Sequence, residues 1–230
     1  MVAKLWYLKK IDILNELPQD KIEKVSNMTR MDEVDSNTPI YFPGDPSDMI
    51  YILKKGRVKI SRETPDGKRI TLAFLEPGEI FGELAVAGEE ERTTMAEATE
   101  DSLICAAPKD KFMDFLSDNP ELALEVSKVI GDRRRKIESK IENLIFKDAR
   151  GRLAQILREL FNEHSDNGEQ EATPEISFSH QDIADLTGLT RPTTTNLLNE
   201  FEEQGIIELN RRKIILHNPV KLKQRSTPDS

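Results

Sequence analysis

Two short runs of this sequence carry side chains whose types and spacing suit chemistry better than packing. The first is Phe81-Gly82-Glu83-Leu84-Ala85, followed after an acidic tip by Arg92-Thr93-Thr94. Glycine lets backbone N–H groups approach a ligand, Glu83 can accept from hydroxyls, and Arg92 with Thr93 can donate to phosphate or carboxylate oxygens. Such a set fits a sugar phosphate. The alternative is that Glu83 pairs with Arg92 or Arg133 and the cavity stays empty. The second run is Thr190-Arg191-Pro192-Thr193-Thr194-Thr195-Asn196. Three β-branched threonines in a row lose χ1 freedom in a helix, so helix propensity alone would not select them. Small polar and basic groups at a helix start suit a DNA major groove; the alternative is a helical hairpin whose polar face is merely solvated.

The elements around the second run read as two short helices joined by a glycine turn. Ser179 is placed to cap the first helix with Asp182, Ile183, Ala184 and Leu186 give it an inner face, and Gly188 permits the turn. Thr190 caps the second helix, and Pro192 falls in its first turn, where a missing N–H costs nothing. Thr194, Leu197, Leu198 and Phe201 recur at helical spacing as the buried side, leaving Arg191, Thr195, Asn196 and Asn199 opposite. The turn from Asn210 to Lys213 is placed to reach phosphates.

The first run belongs to a region of different period. From about Met31 to Ala107 apolar residues alternate, as in MIYILKKGRVKISRET. Turn signals at Pro43-Gly44-Asp45, Lys55-Gly56, Pro65-Asp66-Gly67 and Pro77-Gly78 punctuate them, which predicts a small closed or rolled antiparallel sheet. A long helix follows, with Asn119 as its cap and Pro120 in its first turn. Ile130, Ile137 and Leu144 stand seven apart with Arg134 and Ile141 interleaved. That stripe either pairs with its copy on a second chain or packs on its own domain. Arg133, Arg134 and Arg135 form a basic cluster facing an anion, an acidic partner or solvent. Residues 161–175 read as a polar loop, and the terminal QRSTPDS as disordered.

The chain has 230 residues, room for two cores, and a net charge of −9. Acid is unevenly spread: between Ile176 and Arg225 seven bases face six acids, and Glu200, Glu202 and Glu203 cluster at the far end of the second helix. The pattern predicts modest non-specific affinity and a need for a good DNA site. No run approaches a membrane span or a signal peptide, so the expected location is the cytoplasm. The single cysteine, Cys105, lies in an apolar run and reads as a core thiol; it excludes a disulfide framework, a four-cysteine zinc site and a chain-contained four-cysteine cluster. His164, His180 and His217 all fall in the DNA half, which disfavours a haem sensor, and no spacing supports a metal. No Walker lysine and no paired nucleophile and base support an enzyme.

Four pieces in order, FPGDP, FGELA…RTT, KIENLIFKDARGRLAQIL and the helical pair, resemble the CRP/FNR family of bacterial transcription regulators along nearly the whole chain. The resemblance implies an α+β protein: an N-terminal antiparallel β-roll of cyclic-nucleotide-binding type over 1–118, a dimerisation helix over 119–147, and a winged helix-turn-helix over 148–230. It implies a homodimer on double-stranded operator DNA that recruits or blocks RNA polymerase. Carried over, Gly82 and Glu83 face a ribose while Arg92 and Thr93 hold its phosphate, with Phe81, Leu84 and Thr94 in the same cassette. Ile137 and Glu138 stand where cyclic-AMP responders present a Thr-Ser pair to adenine. The C-terminal part looks closest to the nitrogen-control branch, whose members sense 2-oxoglutarate, and Arg133, Glu138 and Arg92 match carboxylate contacts of that branch. Glu83 departs from it, because the branch has an apolar residue there. Cyclic AMP or another cyclic nucleotide, 2-oxoglutarate, and a ligand-independent regulator with Glu83, Arg92, Arg133 and Glu138 locked in ion pairs all stay open. By the same resemblance Arg191 matches the arginine that reads guanine, while Pro192 replaces the usual glutamate and Asn196 a second basic reader. This implies a different half-site, with Asn196 addressing adenine and Ser179, Gln181, Thr193 and the turn Arg211-Arg212-Lys213 on phosphates.

Overall fold

The computed structural model describes residues 18–64, 67, 69–165, 174–211 and 213–226. Pro65, Asp66 and Arg212, and the segment 166–173, lie outside the described residues. The chain divides into two compact units, one ending at Arg135 and the other starting at Lys136.

In the first unit, β1 (Arg30–Val34), β8 (Ser102–Pro108), β3 (Met49–Lys55) and β6 (Ile80–Phe81) form one antiparallel sheet in that order. A second antiparallel sheet runs β2 (Thr38–Tyr41), β7 (Met95–Ala98), β4 (Val58–Glu63), β5 (Arg69–Leu75). Successive strand side chains point to opposite faces, and both faces of the first sheet are used. Leu53, Phe81 and Ile104 turn toward Tyr41, Val58, Leu75 and Ala96 of the second sheet. Ile50, Ile52, Ile80 and Cys105 turn the other way, onto α1 (Gln19–Met28), α2 (Lys109–Ser117) and the start of α3 (Pro120–Phe146). Cys105 is a fully buried core thiol. The roll is therefore two packed sheets with helices covering one of them.

Asn119 departs from its expected capping role. Its Nδ2 donates to the Phe115 carbonyl at 2.6 Å, satisfying the end of α2, while its Oδ1 is buried without a partner. Pro120 supplies the helix start in its place, because an N1 proline needs no acceptor. The apolar stripe along α3 is also divided. Ile130 packs partly buried on the first unit's own core, whereas Ile137, Ile141, Leu144, Ile145 and Phe146 are exposed in the second unit.

The second unit contains α4 (Ala149–Ser165), β9 (Glu175–Ile176), α5 (His180–Thr187), α6 (Arg191–Glu203), the hairpin β10 (Ile207–Asn210) and β11 (Lys213–Leu216), and α7 (Pro219–Ser226). β9 pairs with β11, giving a sheet ordered β10-β11-β9. Asp148 opens α4 by accepting from the Gly151 N–H at 2.8 Å. Two sequence expectations are corrected here. Residues 161–165 continue α4, because Phe161 is 1% exposed and anchors that turn in the core. Gln224, Arg225 and Ser226 belong to α7, held by the buried Leu222 and by a 3.1 Å bond from Arg158 Nη1 to Ser226 Oγ. Among the described residues no helix is long and apolar enough to cross a membrane.

Lys54 sits at the β3 bulge between Leu53 and Lys55, buried, with its Nζ lacking an acceptor among the described residues. Burial pushes its ammonium down to about 8. The unfolded chain then binds more protons than the folded one between about pH 8 and 10.5, so stability rises with pH across that window. Lys54→Met is expected to stabilise the protein at pH 7 by on the order of 1–3 kcal/mol, with the gain shrinking toward pH 10. Urea unfolding at the two pH values checks this; a gain independent of pH would mean the charge is not the cause.

Candidate functional site

The cassette is built around an arginine that points inward. After β6 the chain turns at Gly82, whose φ of +71° lies in the left-handed region, into one 3-10 turn, Glu83–Ala85. A Cβ on Gly82 would stand 3.0 Å from Arg92 Nη1 and 3.1 Å from the Met49 carbonyl oxygen. The residue is glycine because backbone and guanidinium need that space. Arg92 is 3% exposed. Its Nη1 donates to the Gly82 carbonyl at 3.1 Å and its Nη2 to the Met49 carbonyl. The guanidinium carbon lies 4.6 Å from the ring centre of Tyr41 and 5.8 Å from that of Tyr51. Burial raises the pKa of both phenols, against an opposing influence from the Arg92 charge.

Glu83 is buried and its Oε2 stands 2.6 Å from Arg133 Nη1 on α3. Arg133 also donates to the Ile80 carbonyl and lies 3.9 Å from Glu79. Phe81 is fully buried, stacked on Tyr51 with ring centres 5.0 Å apart, so it shapes the roll interior. Leu84 is 38% exposed. Thr93 is exposed, and Thr94 hydrogen-bonds Tyr41. The first unit thus brings Phe81 to Leu84, Arg92 to Thr94 and Arg133 together. Ile137 and Glu138 belong to the second unit, where both are exposed.

In the second unit the helical pair forms as its capping residues dictate. Ser179 Oγ accepts from the Asp182 N–H at 3.1 Å and Asp182 Oδ2 accepts from the Ser179 N–H at 2.9 Å, a reciprocal capping box. Gly188 ends α5 at φ +67°. Thr190 Oγ1 accepts from the Thr193 N–H at 3.3 Å, and Pro192 lies in the first turn of α6. Thr194, Leu197, Leu198 and Phe201 are buried. Arg191, Pro192 and Asn196 are exposed on the opposite side, with Thr193 and Thr195 half-buried beside them. Gln181 donates to Asp185 within α5. Asn210 and Lys213 pair across the hairpin, leaving Arg211 exposed at the tip. Lys213 Nζ is 2.6 Å from Glu175. A helix pair with a polar second helix and a basic hairpin tip is the shape of a winged DNA-reading module.

Residues 31–119 match the cyclic nucleotide-binding domain, and residues 151–225 match the Crp-like helix-turn-helix domain. The global nitrogen regulator of Nostoc sp. is 34% identical over 193 residues, 83% of this chain and 86% of that protein. The chain belongs to the CRP/FNR family of transcriptional regulators. It is a DNA-binding regulator with a cyclic-nucleotide-binding domain, and its family are not enzymes. The CRP-like cAMP-activated global transcriptional regulator of Mycobacterium tuberculosis is 28% identical over 81% of this chain and 84% of its own. Among solved structures, FixK2 from Bradyrhizobium japonicum has the same fold, with a TM-score of 0.77 at 23% identity over 88% of this chain and 99% of that one.

Within this CRP/FNR cassette, sequence reasoning missed three participants. Tyr41 and Tyr51 flank the guanidinium, and only their place on alternating strands hinted at it. Glu89 was counted merely as part of an acidic tip, yet its Oε2 lies 3.7 Å from Arg92 Nη1. In the helix-turn-helix, His180 Nδ1 lies 3.0 Å from Thr195 Oγ1, and burial, followed by the Arg191 charge, lowers its pKa.

Gly82 and Gly44 both have positive φ, but a Cβ on Gly44 would meet nothing within 4 Å. Gly44→Ala is expected to cost only backbone strain, about 1 kcal/mol, and Gly82→Ala about 2–3 kcal/mol because the Arg92 contacts must also shift. Urea unfolding of the two variants compares them directly, and equal losses would show that Arg92 does not crowd the turn.

Proposed function

We propose that this regulator works as a cytoplasmic homodimer that reads a two-fold operator through α6, controlled by a small anionic effector in the roll and acting by recruiting or blocking RNA polymerase. The observation that carries the reading is the buried Arg92, a cation held between two backbone carbonyls and two tyrosine rings beside the Gly82 turn. Such a group is suited to a phosphate or carboxylate. A cyclic nucleotide and 2-oxoglutarate both offer that chemistry, and the relative in Mycobacterium tuberculosis is named as cAMP-activated, which supports a small-molecule signal. A dimer is supported by the exposed Ile137, Ile141, Leu144, Ile145 and Phe146, more apolar surface than a lone helix end leaves in water. Two copies then offer reading helices about 34 Å apart, one turn of DNA.

A second reading is favoured by the ion pair between Glu83 and Arg133, which gives the buried carboxylate a partner within the protein. On that reading the roll is a fixed structural body and the regulator's level sets its activity.

On the DNA side, Arg191 is proposed to read guanine and Asn196 adenine, while Ser179, Gln181, Thr193, Arg211, Arg212 and Lys213 hold phosphates and Thr190, Pro192 and Thr195 complete the DNA-facing side. Arg191→Ala is expected to erase the preference for a selected operator over random duplex, a loss of roughly 1–3 kcal/mol per half-site. Arg211→Ala is expected to weaken all duplexes alike and lower the slope of log affinity against log salt by about 1. Anisotropy titrations with both duplexes at several salt concentrations measure this. Equal losses from the two changes would remove the assignment.

A further inference from the structure

The loop between Gly88 and Arg92 brings its own carboxylate to the anion-binding arginine. Glu89 Oε1 accepts from Thr93 Oγ1 at 2.9 Å and from the Thr93 N–H at 3.3 Å. Its Oε2 accepts from Ser47 Oγ at 3.2 Å and stands 3.7 Å from Arg92 Nη1. Arg62 Nη2 donates to Thr93 Oγ1 at 3.1 Å, which leaves that hydroxyl's proton for the carboxylate. Two hydroxyls, one backbone N–H and a guanidinium thus converge on one pair of oxygens. That donor set is the one a phosphate or carboxylate ligand needs.

Two further observations mark this as a binding place and not a surface ion pair. Arg92 is 97% removed from solvent, since only 3% of it is exposed, and its Nε has no hydrogen-bond partner. Ser47 is buried to the same degree, 3% exposed. The backbone here is fixed independently of Glu89: the Ser47 N–H donates to the Glu90 carbonyl, the Arg92 N–H to the Asp45 carbonyl and the Gly44 N–H to the Arg92 carbonyl, each at 2.8 Å. Only the side-chain torsions of Glu89 need change to clear the donors. Its side chain is 14% exposed, so it has an exit toward solvent.

We infer that Glu89 is a tethered internal ligand, which fills the anion subsite at Arg92, Thr93 and Ser47 and must be displaced by any phosphate- or carboxylate-bearing effector. The inference deepens the proposal of an anionic effector and rests on it for its regulatory meaning. A tethered carboxylate competes at high effective concentration. The apparent affinity of an effector falls by the fraction of time the subsite is clear. The device keeps the buried guanidinium compensated in the unliganded protein and sets a threshold for the signal. It also selects against ligands that bring a weak or single-oxygen anion, because these replace fewer of the bonds that Glu89 makes.

The test uses the full chain and inorganic phosphate as probe, read as the shift in melting temperature at constant ionic strength. Glu89→Gln removes the charge and one of the two acceptors while keeping the side chain's size, and Glu89→Ala clears the subsite. Both variants are expected to show a saturable rise in melting temperature with phosphate, with half-saturation about tenfold lower than in the wild type and lower still for Glu89→Ala. Phosphate responses in both variants equal to that of the wild type would overturn the inference. Titration of the same proteins with cyclic AMP, cyclic GMP and 2-oxoglutarate separates this from the effector reading. A phosphate gain without binding of these three upholds the internal ligand and counts against the effector reading, whereas effector binding to the wild type without a phosphate gain does the reverse.

Discussion

The first unit depends on keeping one positive charge inside the roll. Removing a guanidinium from water is costly unless every face of it is compensated. Arg92 meets most of that demand with the Gly82 and Met49 carbonyls, the faces of Tyr41 and Tyr51, and the Glu89 carboxylate, leaving its Nε without a hydrogen-bond partner. Each of these constrains a different part of the chain. The Gly82 carbonyl requires a left-handed turn after β6, the Met49 carbonyl fixes the start of β3, and the tyrosines must come from β2 and β3 on the inward side. Glu83, placed by that turn, reaches Arg133 and so ties the cassette to α3. Anything that alters the balance of charge at Arg92 therefore acts on the turn, the strands and the helix together, a natural place for a signal to enter.

The second unit meets the opposite demand, since its functional side chains must stay free. The capping box at Ser179 and the threonine cap at Thr190 satisfy the helix starts locally, without drawing on Arg191 or Asn196. Burial of Thr194, Leu197, Leu198 and Phe201 sets the rotation of α6, which leaves Arg191 and Asn196 in solvent. Packing decides which way the helix faces, and the residues proposed to read DNA are those it leaves in solvent.

Much of this was legible in the sequence because it rests on local rules. Capping residues, the Gly188 turn and the spacing of Leu197, Leu198 and Phe201 identify the helix pair without tertiary information, and alternation identifies MIYILKK as a strand, though its burial on both faces emerged only with the helices packed behind it. The cassette was legible as residue types, Gly82, Glu83, Arg92 and Thr93, but its wiring was not. Whether Glu83 pairs with Arg92 or Arg133 depends on where α3 lies, and the role of Glu89 depends on Ser47, which is 42 residues away in the chain. The errors had the same origin. Asn119 turned its amide toward α2, and residues 161–165 and 224–226 joined helices through contacts with Phe161, Leu222 and Arg158 that polar composition does not reveal. The stripe on α3 was read as one surface, yet Ile130 is claimed by the core of its own unit.

The central claim is that an anion at Arg92 governs the affinity for DNA. The most direct measurement is the anisotropy of a duplex, selected by the wild-type protein from a random pool, titrated with and without cyclic AMP, cyclic GMP or 2-oxoglutarate in the wild type and in Arg92→Ala. The account predicts that one of the three changes the wild-type Kd about tenfold or more and that the variant loses this response while still binding DNA. Superimposable isotherms for the wild type with and without all three would contradict control through Arg92.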